Sequence, residues 1–284
     1  MSFQNVTPLR YPGGKSKMTP FIKELLSINR MTDDVTYVEP FAGGAGIALN
    51  LLINENVKEI IINDKDISIY AFWWALLKET NKFIEKILLV NVNIEEWYKQ
   101  KEIQKNKEHA DLFDLGFSTF FLNRTNRSGI ISAGPIGGFS QSGKWKIDAR
   151  FRKLELLSRV QKISEKKKSI KLFNKDASEF LKHDVSELPK KNVLIYLDPP
   201  YYNKGKQLYM NFFKHEDHQR LEKVIEELQH SWVVSYDDTP EIREIYKTHT
   251  PFSYQLNYSL AFASKGNEVM YCSKNIQLPI TSPP

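Results

Sequence analysis

Cysteine is almost absent from this 284-residue sequence, and the single Cys272 excludes an internal disulfide and any multi-cysteine zinc site. Histidine is scarce as well. Of six, only His215 and His218 lie close together, inside "FFKHEDHQRLEKVIEEL", where the helical period reads as an ordinary helix start. No metal is expected. Long apolar runs are lacking, the longest being strand-sized, as in Ile87-Leu88-Leu89-Val90. The N-terminus has no charged segment followed by an apolar one and a small-residue cleavage site. The expectation is a cytoplasmic protein with no membrane partner. Internal repeats and low-complexity tracts are missing too, which excludes a solenoid.

What is present suits a folded globular chain. A hydrophobic content of 41% supplies a core for one large domain, or for a main domain carrying a smaller one. The net charge is +6 and the pI near 9.1. That charge is concentrated: between Lys144 and Lys175 there are twelve Lys or Arg against three acids. Such a stretch fits either a nucleic-acid contact or a solvated helix face such as "SRVQKISEKKKSIK".

Periodicity and breakers predict strands at Thr36–Glu39, Glu59–Asn63, Ile170–Phe173 and Val193–Leu197, and at 232–235, 254–258 and 268–272. Helical patterns such as "GIALNLLIN", "ISIYAFWWALLKE", "ASEFLK" and "DHQRLEKVIEELQ" lie between them, the rhythm of an α/β protein with a parallel sheet. Residues 81–159 break the rhythm. They hold helical segments and then "SGIISAGPIGGFSQSGKW", a glycine- and serine-rich run without period, and read as an inserted, mainly helical small domain.

Two segments carry chemistry after strands. In "VEPFAGGAGIALNLL", Gly43, Gly44 and Gly46 precede a helix, and glycines there permit a tight turn and close approach of a ligand to the backbone. The dinucleotide fingerprint requires a third glycine where Leu49 stands, which argues against NAD and a dehydrogenase. Asp64, at the end of the next strand, is placed to accept hydrogen bonds from ribose hydroxyls. The residues suit a nucleoside cofactor or a purely structural strand-turn-helix corner. The second segment is "YLDPPYY", residues 196–202, which ends an apolar strand on a carboxylate and two prolines. Its bland reading is a strand-terminating turn capped by aspartate. A third stretch, "PLRYPGGKSKM", has a Gly-Gly-Lys sequence without the full spacing of a phosphate loop.

Taken in order, "RYPGGK", "EPFAGGAG", Asp64, "NKDASEF" and "YLDPPYY" resemble the Dam-type DNA adenine methyltransferases that place the target-recognition region before the Asp-Pro-Pro-Tyr motif. The resemblance spans Arg10 to Tyr202, with a weaker echo through "WVVSY" and "YSLAFASKGNEVMYC". It implies a Rossmann-like seven-stranded methyltransferase sheet with the last strand antiparallel. The catalytic domain would comprise 1–80 and 160–284, and residues 81–159 would form the target-recognition, DNA-binding domain. The implied cofactor is S-adenosylmethionine, leaving as S-adenosylhomocysteine, and the implied partner is double-stranded DNA; the setting is a restriction-modification system with a separately acting endonuclease, a prophage or a solitary methylase.

The resemblance also implies roles. Asp198 and the Pro199 carbonyl would accept hydrogen bonds from the adenine amino group, Pro200 would hold Tyr201, and Tyr201 would stack on a base swung out of the duplex. Tyr11 and Lys15 would border the cofactor with Lys15 near Asp198, Phe41 and the glycines would approach its methionine end, and Asp64 would hold its ribose. Asp176 would accept from the cofactor's adenine amine or, on its residue type alone, cap the helix "ASEFLK". In "FFLNRTNRSGI", Leu122-Asn123-Arg124 match the family, and Arg124, Asn126, Arg127 and Lys144 are candidate DNA contacts. After Arg127 the sequence departs from the members that read GATC, so its target is not assumed to be GATC. Alternatives are N6 methylation of RNA adenine and a non-catalytic DNA-binding module that keeps the fold.

Overall fold

A computed structural model of the chain describes residues 6–10, 14–203, 213–258, 264–281 and 283. The chain divides into two compact units: one from Lys15–Lys65 and Ser169–Pro284, the other from Val6–Gly14 and Asp66–Lys168.

The first unit is built on a seven-stranded sheet. Its strands are β1 (Thr36–Glu39), β2 (Glu59–Asn63), β3 (Ile170–Phe173), β4 (Val193–Leu197), β5 (Ser231–Asp237), β6 (Phe252–Tyr258) and β7 (Ser264–Cys272), in spatial order β3-β2-β1-β4-β5-β7-β6. Neighbours from β3 to β5 pair in parallel, whereas β7 runs antiparallel to both β5 and β6. This is the Rossmann-like methyltransferase sheet that the sequence resemblance implies. The central β4, Val-Leu-Ile-Tyr-Leu, is buried at all five positions, because a parallel strand covered on both faces needs an apolar residue on each side. On one face Val38, Ile195, Trp232 and Val234 pack with Phe180, Leu221 and Ile225 from helical segments. The helix Gly46–Ile53 buries six of its eight residues, so it is held by packing rather than by an amphipathic stripe.

The order of the strands decides where a ligand can sit. From β1 the chain steps outward to β2 and β3, then returns to place β4 on the other side of β1. The connections leaving β1 and β4 therefore diverge, and a crevice opens beyond their carboxyl ends. Both chemistry-bearing segments, the glycine turn and Asp-Pro-Pro-Tyr, begin at those two ends.

The second unit is mainly helical: Ile67–Lys78, Thr80–Leu89, Ile94–Lys105, Leu112–Thr125 and Lys153–Glu165. Its centre is the helix Leu112–Thr125, buried continuously from Leu115 to Thr125, with an aromatic core of Phe72, Phe83, Phe117, Phe120 and Phe151 around it. "ISIYAFWWALLK" belongs to this unit although its position after β2 suggests a sheet-covering helix, and the ring of its Phe72 lies 6.2 Å from that of Phe120. The expected insertion at 81–159 falls inside the unit. The glycine-rich run from 128 to 146 forms turns and a single Asn126–Pro135 bridge, with Phe139 and Trp145 exposed. Among the described residues, no helix is long and apolar enough to cross a membrane.

Candidate active site

At the end of β4 the side chain of Asp198 is 23% exposed and lies 2.9 Å from the Nζ of Lys15, itself buried. Lys15 precedes the first helix, and its ammonium also donates to Ser235 Oγ at 2.9 Å and Glu268 Oε2 at 2.7 Å. The sheet register sets this meeting. Leu197 pairs with Val234, which brings Ser235 of β5 beside Asp198, and Ser235 Oγ donates to Asp198 Oδ1 at 3.2 Å. The Tyr196 hydroxyl lies 2.9 Å from the same Ser235 oxygen. Oδ1 of Asp198 is thus held by Lys15 and Ser235, while Oδ2 accepts no hydrogen bond from the described residues.

Desolvation pushes the Asp198 carboxyl above its ordinary range, Lys15 pulls it back and Glu268 pushes it further up. For Lys15, burial alone would lower the pKa, but Asp198 and the surrounding tyrosines outweigh it and leave the amine well above its usual value. Lys15 is therefore a fixed cation. Its ammonium is engaged by these three side chains, and it lies beside Asp198 as the resemblance implies.

The turn after Asp198 is clamped from β5: Asp237 accepts from the Tyr202 N–H at 2.8 Å and the Asn203 N–H at 3.1 Å. Proline leaves no N–H at 199 or 200 to continue the ladder. Tyr201 is turned inward. It is 2% exposed, its hydroxyl donates to Glu268 Oε1 at 2.7 Å, and the Lys15 ammonium lies 5.4 Å from its ring centroid. Its ring is packed within the buried polar cluster, so stacking on a base would require it to turn outward.

Across the crevice, Gly43 adopts φ 46°, a left-handed conformation glycine takes without penalty, and its N–H donates to Asp64 Oδ2 at 2.9 Å. A Cβ at Gly46 would stand 1.9 Å from Ser16 Oγ, so glycine there lets Ser16 close onto the helix start. Gly44 is buried between them, and Phe41 is partly exposed with its ring 5.7 Å from that of Phe213. Asn63, fully buried, bonds the Pro40 carbonyl and both the N–H and carbonyl of Lys175. It ties together the chain ends leaving β1, β2 and β3. Asp176 caps the helix Ala177–Phe180 by accepting from the Ser178 N–H at 3.0 Å, and its second oxygen accepts from Lys65 at 3.0 Å. Tyr11 lies outside the described residues.

Three groups here escape sequence reasoning. Glu39, at the end of β1, is buried and accepts from the Ala48 N–H at 3.0 Å; burial, opposed by that hydrogen bond and reinforced by Asp198, pushes its carboxyl up to about 8. Ser235 and Glu268 are the others. Glu268 does carry a signal, a carboxylate opening the apolar run Val269-Met270-Tyr271.

In the second unit the four candidate DNA contacts separate into two pairs. Arg124 is buried, donates to the Arg150 carbonyl at 2.7 Å, and is pulled down to about 9 by burial and by Arg10, Arg159 and Arg150 around it. Asn126 is fully buried, accepting from Trp97 Nε1 at 2.6 Å and donating to the Ile130 and Ile131 carbonyls. Asn126, with its amide fully engaged inside the unit, presents no free edge to a base, and Arg124 is tied by Nε and Nη1 to the Arg150 and Pro8 carbonyls. Arg127 and Lys144 are exposed. Asn123, by contrast, holds both the N–H and the carbonyl of Arg10.

The seven-stranded sheet, parallel except for β7 reversed between β5 and β6, belongs to the Rossmann-like methyltransferase fold class. Residues 11–259 match the family of D12 class N6 adenine-specific DNA methyltransferases, and the chain belongs to that family: it is an adenine-specific DNA methyltransferase. It is similar to the Type II methyltransferase M.MjaIII of Methanocaldococcus jannaschii, with 25% identity over 205 residues, 68% of each chain. Similar solved structures include the rRNA methyltransferase aviRa from Streptomyces viridochromogenes, at 10% identity and TM-score 0.42 over 93% of this chain and 86% of that one. Another is the precorrin-6y C5,15-methyltransferase from Geobacter metallireducens, at 9% identity and TM-score 0.34 over 88% and 86%.

Proposed function

We propose that the enzyme transfers a methyl group from S-adenosylmethionine to N6 of an adenine swung out of a DNA duplex, at a specific site. The observation that carries this reading is the state of Asp198: one carboxylate oxygen is held by Lys15 and Ser235, and the other accepts no hydrogen bond from the described residues at the mouth of the crevice.

The lone pair of an adenine amino group is delocalised into its ring, so the group is a poor nucleophile. Hydrogen bonds from its two N–H groups to Asp198 Oδ2 and the Pro199 carbonyl would make the nitrogen more tetrahedral and aim its lone pair. The Asp237 clamp holds the backbone N–H groups of Tyr202 and Asn203 just beyond that carbonyl. As positive charge appears on the nitrogen, the nearby carboxylate stabilises it, and the surplus proton leaves afterwards to Asp198 or water. No dedicated base is required. A base stacked and paired inside a duplex cannot bring its amino group to such a crevice, which is why extrusion is part of the reading.

The glycine side of the crevice fits the cofactor. Asp64 and Asp176 are partly exposed carboxylates at the ends of β2 and β3, suited to ribose hydroxyls and to an exocyclic amine, and Gly43 presents backbone without a side chain. Asp176 can serve while capping its helix, since a carboxylate has more than two acceptor sites. Phe41 and the glycines would border the methionine end. When bound, the cofactor supplies a methyl group on a positively charged sulfur.

The second unit is read as the target-recognition domain. Its support is the concentration of Lys and Arg along 144–168 and the exposure of Arg127 and Lys144. Similarity to a Type II methyltransferase favours a companion endonuclease acting separately. Expression in a strain without adenine methylation, followed by sequencing that maps N6-methyladenine, tests the whole reading. The expected result is methylation at one short motif, together with a rise in melting temperature with S-adenosylmethionine and none with NAD. Methyl label entering RNA but not plasmid DNA would overturn it.

A further inference from the structure

The Lys15 ammonium serves two carboxylates. Its Nζ is 2.9 Å from Asp198 and 2.7 Å from Glu268, and the Glu268 side chain is completely buried. Glu268 also accepts from the Tyr201 hydroxyl on Oε1 and the Tyr254 hydroxyl on Oε2, both at 2.7 Å. Two oxygens that accept from a lysine and two phenols show the acceptor-only pattern of an ionised carboxylate. One buried cation therefore faces two anions, Glu268 fully buried and Asp198 partly exposed. Had Lys15 met Asp198 alone, the pair would be neutral.

We propose that Glu268 is a positioning residue of the methyl-transfer reaction: it draws the Lys15 ammonium partly away from Asp198 and leaves the cluster with net negative charge, complementary to the charge that develops on the adenine nitrogen. This rests on the reading of Asp198 as the amine acceptor. A fully neutralised Asp198 would be a weaker acceptor, whereas an unpaired one would be costly to bury; sharing the cation sets the acid between these limits. Among the described residues, the other titratable groups facing the cluster are Tyr196 from β4, Tyr254 from β6, Tyr201 from the turn, Tyr37 and Glu39 from β1, and Tyr236 from β5. Glu39 stays protonated up to about pH 8, so it is neutral across the acid limb of activity.

The test is the pH profile of single-turnover methylation of duplex DNA by Glu268→Gln, which keeps size and shape. We expect the maximal rate to fall about tenfold to a hundredfold while DNA and cofactor affinities stay within about threefold. The acid limb should move to lower pH by about one unit, because Asp198 loses a neighbouring negative charge and gains the whole of Lys15. Tyr254→Phe should move the limb the opposite way, by a few tenths of a unit, since Glu268 deprived of one donor draws harder on Lys15. That variant decides the matter if Glu268→Gln does not fold. A maximal rate within about threefold of wild type, or an acid limb unmoved in the folded variants, would overturn the proposal. Asp198→Ala, run in parallel, separates the two layers: an inactive Asp198→Ala beside a wild-type-like Glu268→Gln sinks only the role of Glu268, and an active Asp198→Ala sinks the amine-acceptor reading itself.

Discussion

Asp198→Asn is the change that most directly probes the site. It preserves volume, and the structure says why the fold should survive: Lys15 keeps Glu268 at 2.7 Å and Ser235 at 2.9 Å, so no buried ammonium is left without an anion. The amide must choose between two bad orientations. With its NH2 toward Lys15 it sets donor against donor; with its NH2 toward the crevice it presents a donor to the N–H groups of the adenine amine. Either way the charge-assisted acceptor is gone. Loss of one preorganised electrostatic contact to a developing charge raises the barrier by about 2.7–4 kcal/mol, a rate loss of about 100- to 1,000-fold. The assay is single-turnover methyl incorporation into duplex DNA with saturating cofactor, alongside DNA binding and thermal melting of the same preparation. Rates should collapse while binding and melting temperature change little. A variant that binds, melts normally and methylates within about tenfold of wild type would refute the assignment of Asp198. Because burial and Glu268 hold the Asp198 carboxyl above its ordinary range, wild-type activity should also begin to fall, as the medium is acidified, at a pH above that of an exposed aspartate.

Asn126→Ala should destabilise the second unit by about 2–4 kcal/mol, because Trp97 and two backbone carbonyls lose their partner. Chemical denaturation measures the loss, and a stable variant with altered sequence preference would restore Asn126 as a base-reading residue. Glu39→Gln should stabilise the protein at pH 8 and hardly at all at pH 4. The folded carboxyl titrates near 8, so the native glutamic acid is destabilising as pH rises above its unfolded pKa of about 4.5, a cost reaching about 4 kcal/mol by pH 8. Melting curves at the two pH values check the sign. Replacing both Arg127 and Lys144 by glutamine should weaken DNA binding and make its dependence on log salt shallower by up to about 2, with little effect on cofactor-induced stabilisation. An unchanged salt slope would remove both from the phosphate-contact set.

Much of this molecule is legible in its sequence because the signals are local. A parallel strand buried on two faces must be a short unbroken apolar run, and Val193–Leu197 and the Ile60–Ile62 core of β2 read that way; the glycines after β1 mark a tight turn. Burial of polar groups is not local. Arg124 and Asn126 look like surface contacts because their types usually are, and only the packing of Trp97, Arg150 and the 126–131 turn around them shows that they serve the interior. The burial of Tyr201 is non-local in the same way, since its partner Glu268 is 67 residues away. The division of the chain shows the limit from another side: "ISIYAFWWALLK" has one apolar pattern whether it covers the sheet or packs on Phe120, and periodicity cannot name the partner.

The same non-locality explains how a single lysine comes to matter so much. Lys15 reaches Asp198, Ser235 and Glu268, residues brought together by the order β4-β5-β7, in which the antiparallel β7 delivers its Glu268 at the end of the sheet where the parallel strands finish. A parallel strand in that place, entering from the other edge, would present its final residues there instead of its middle. An apolar cluster of equal volume would hold the strands together at least as well, because burying three charges costs more desolvation than their attraction reliably returns. What the ions add is direction: Oδ1 of Asp198 is fixed from behind, so its other oxygen has one orientation available, and the tyrosines that hold Glu268 keep the lysine from swinging to compensate. The reversed strand is, in this sense, what allows a sheet of otherwise parallel strands to aim a carboxylate.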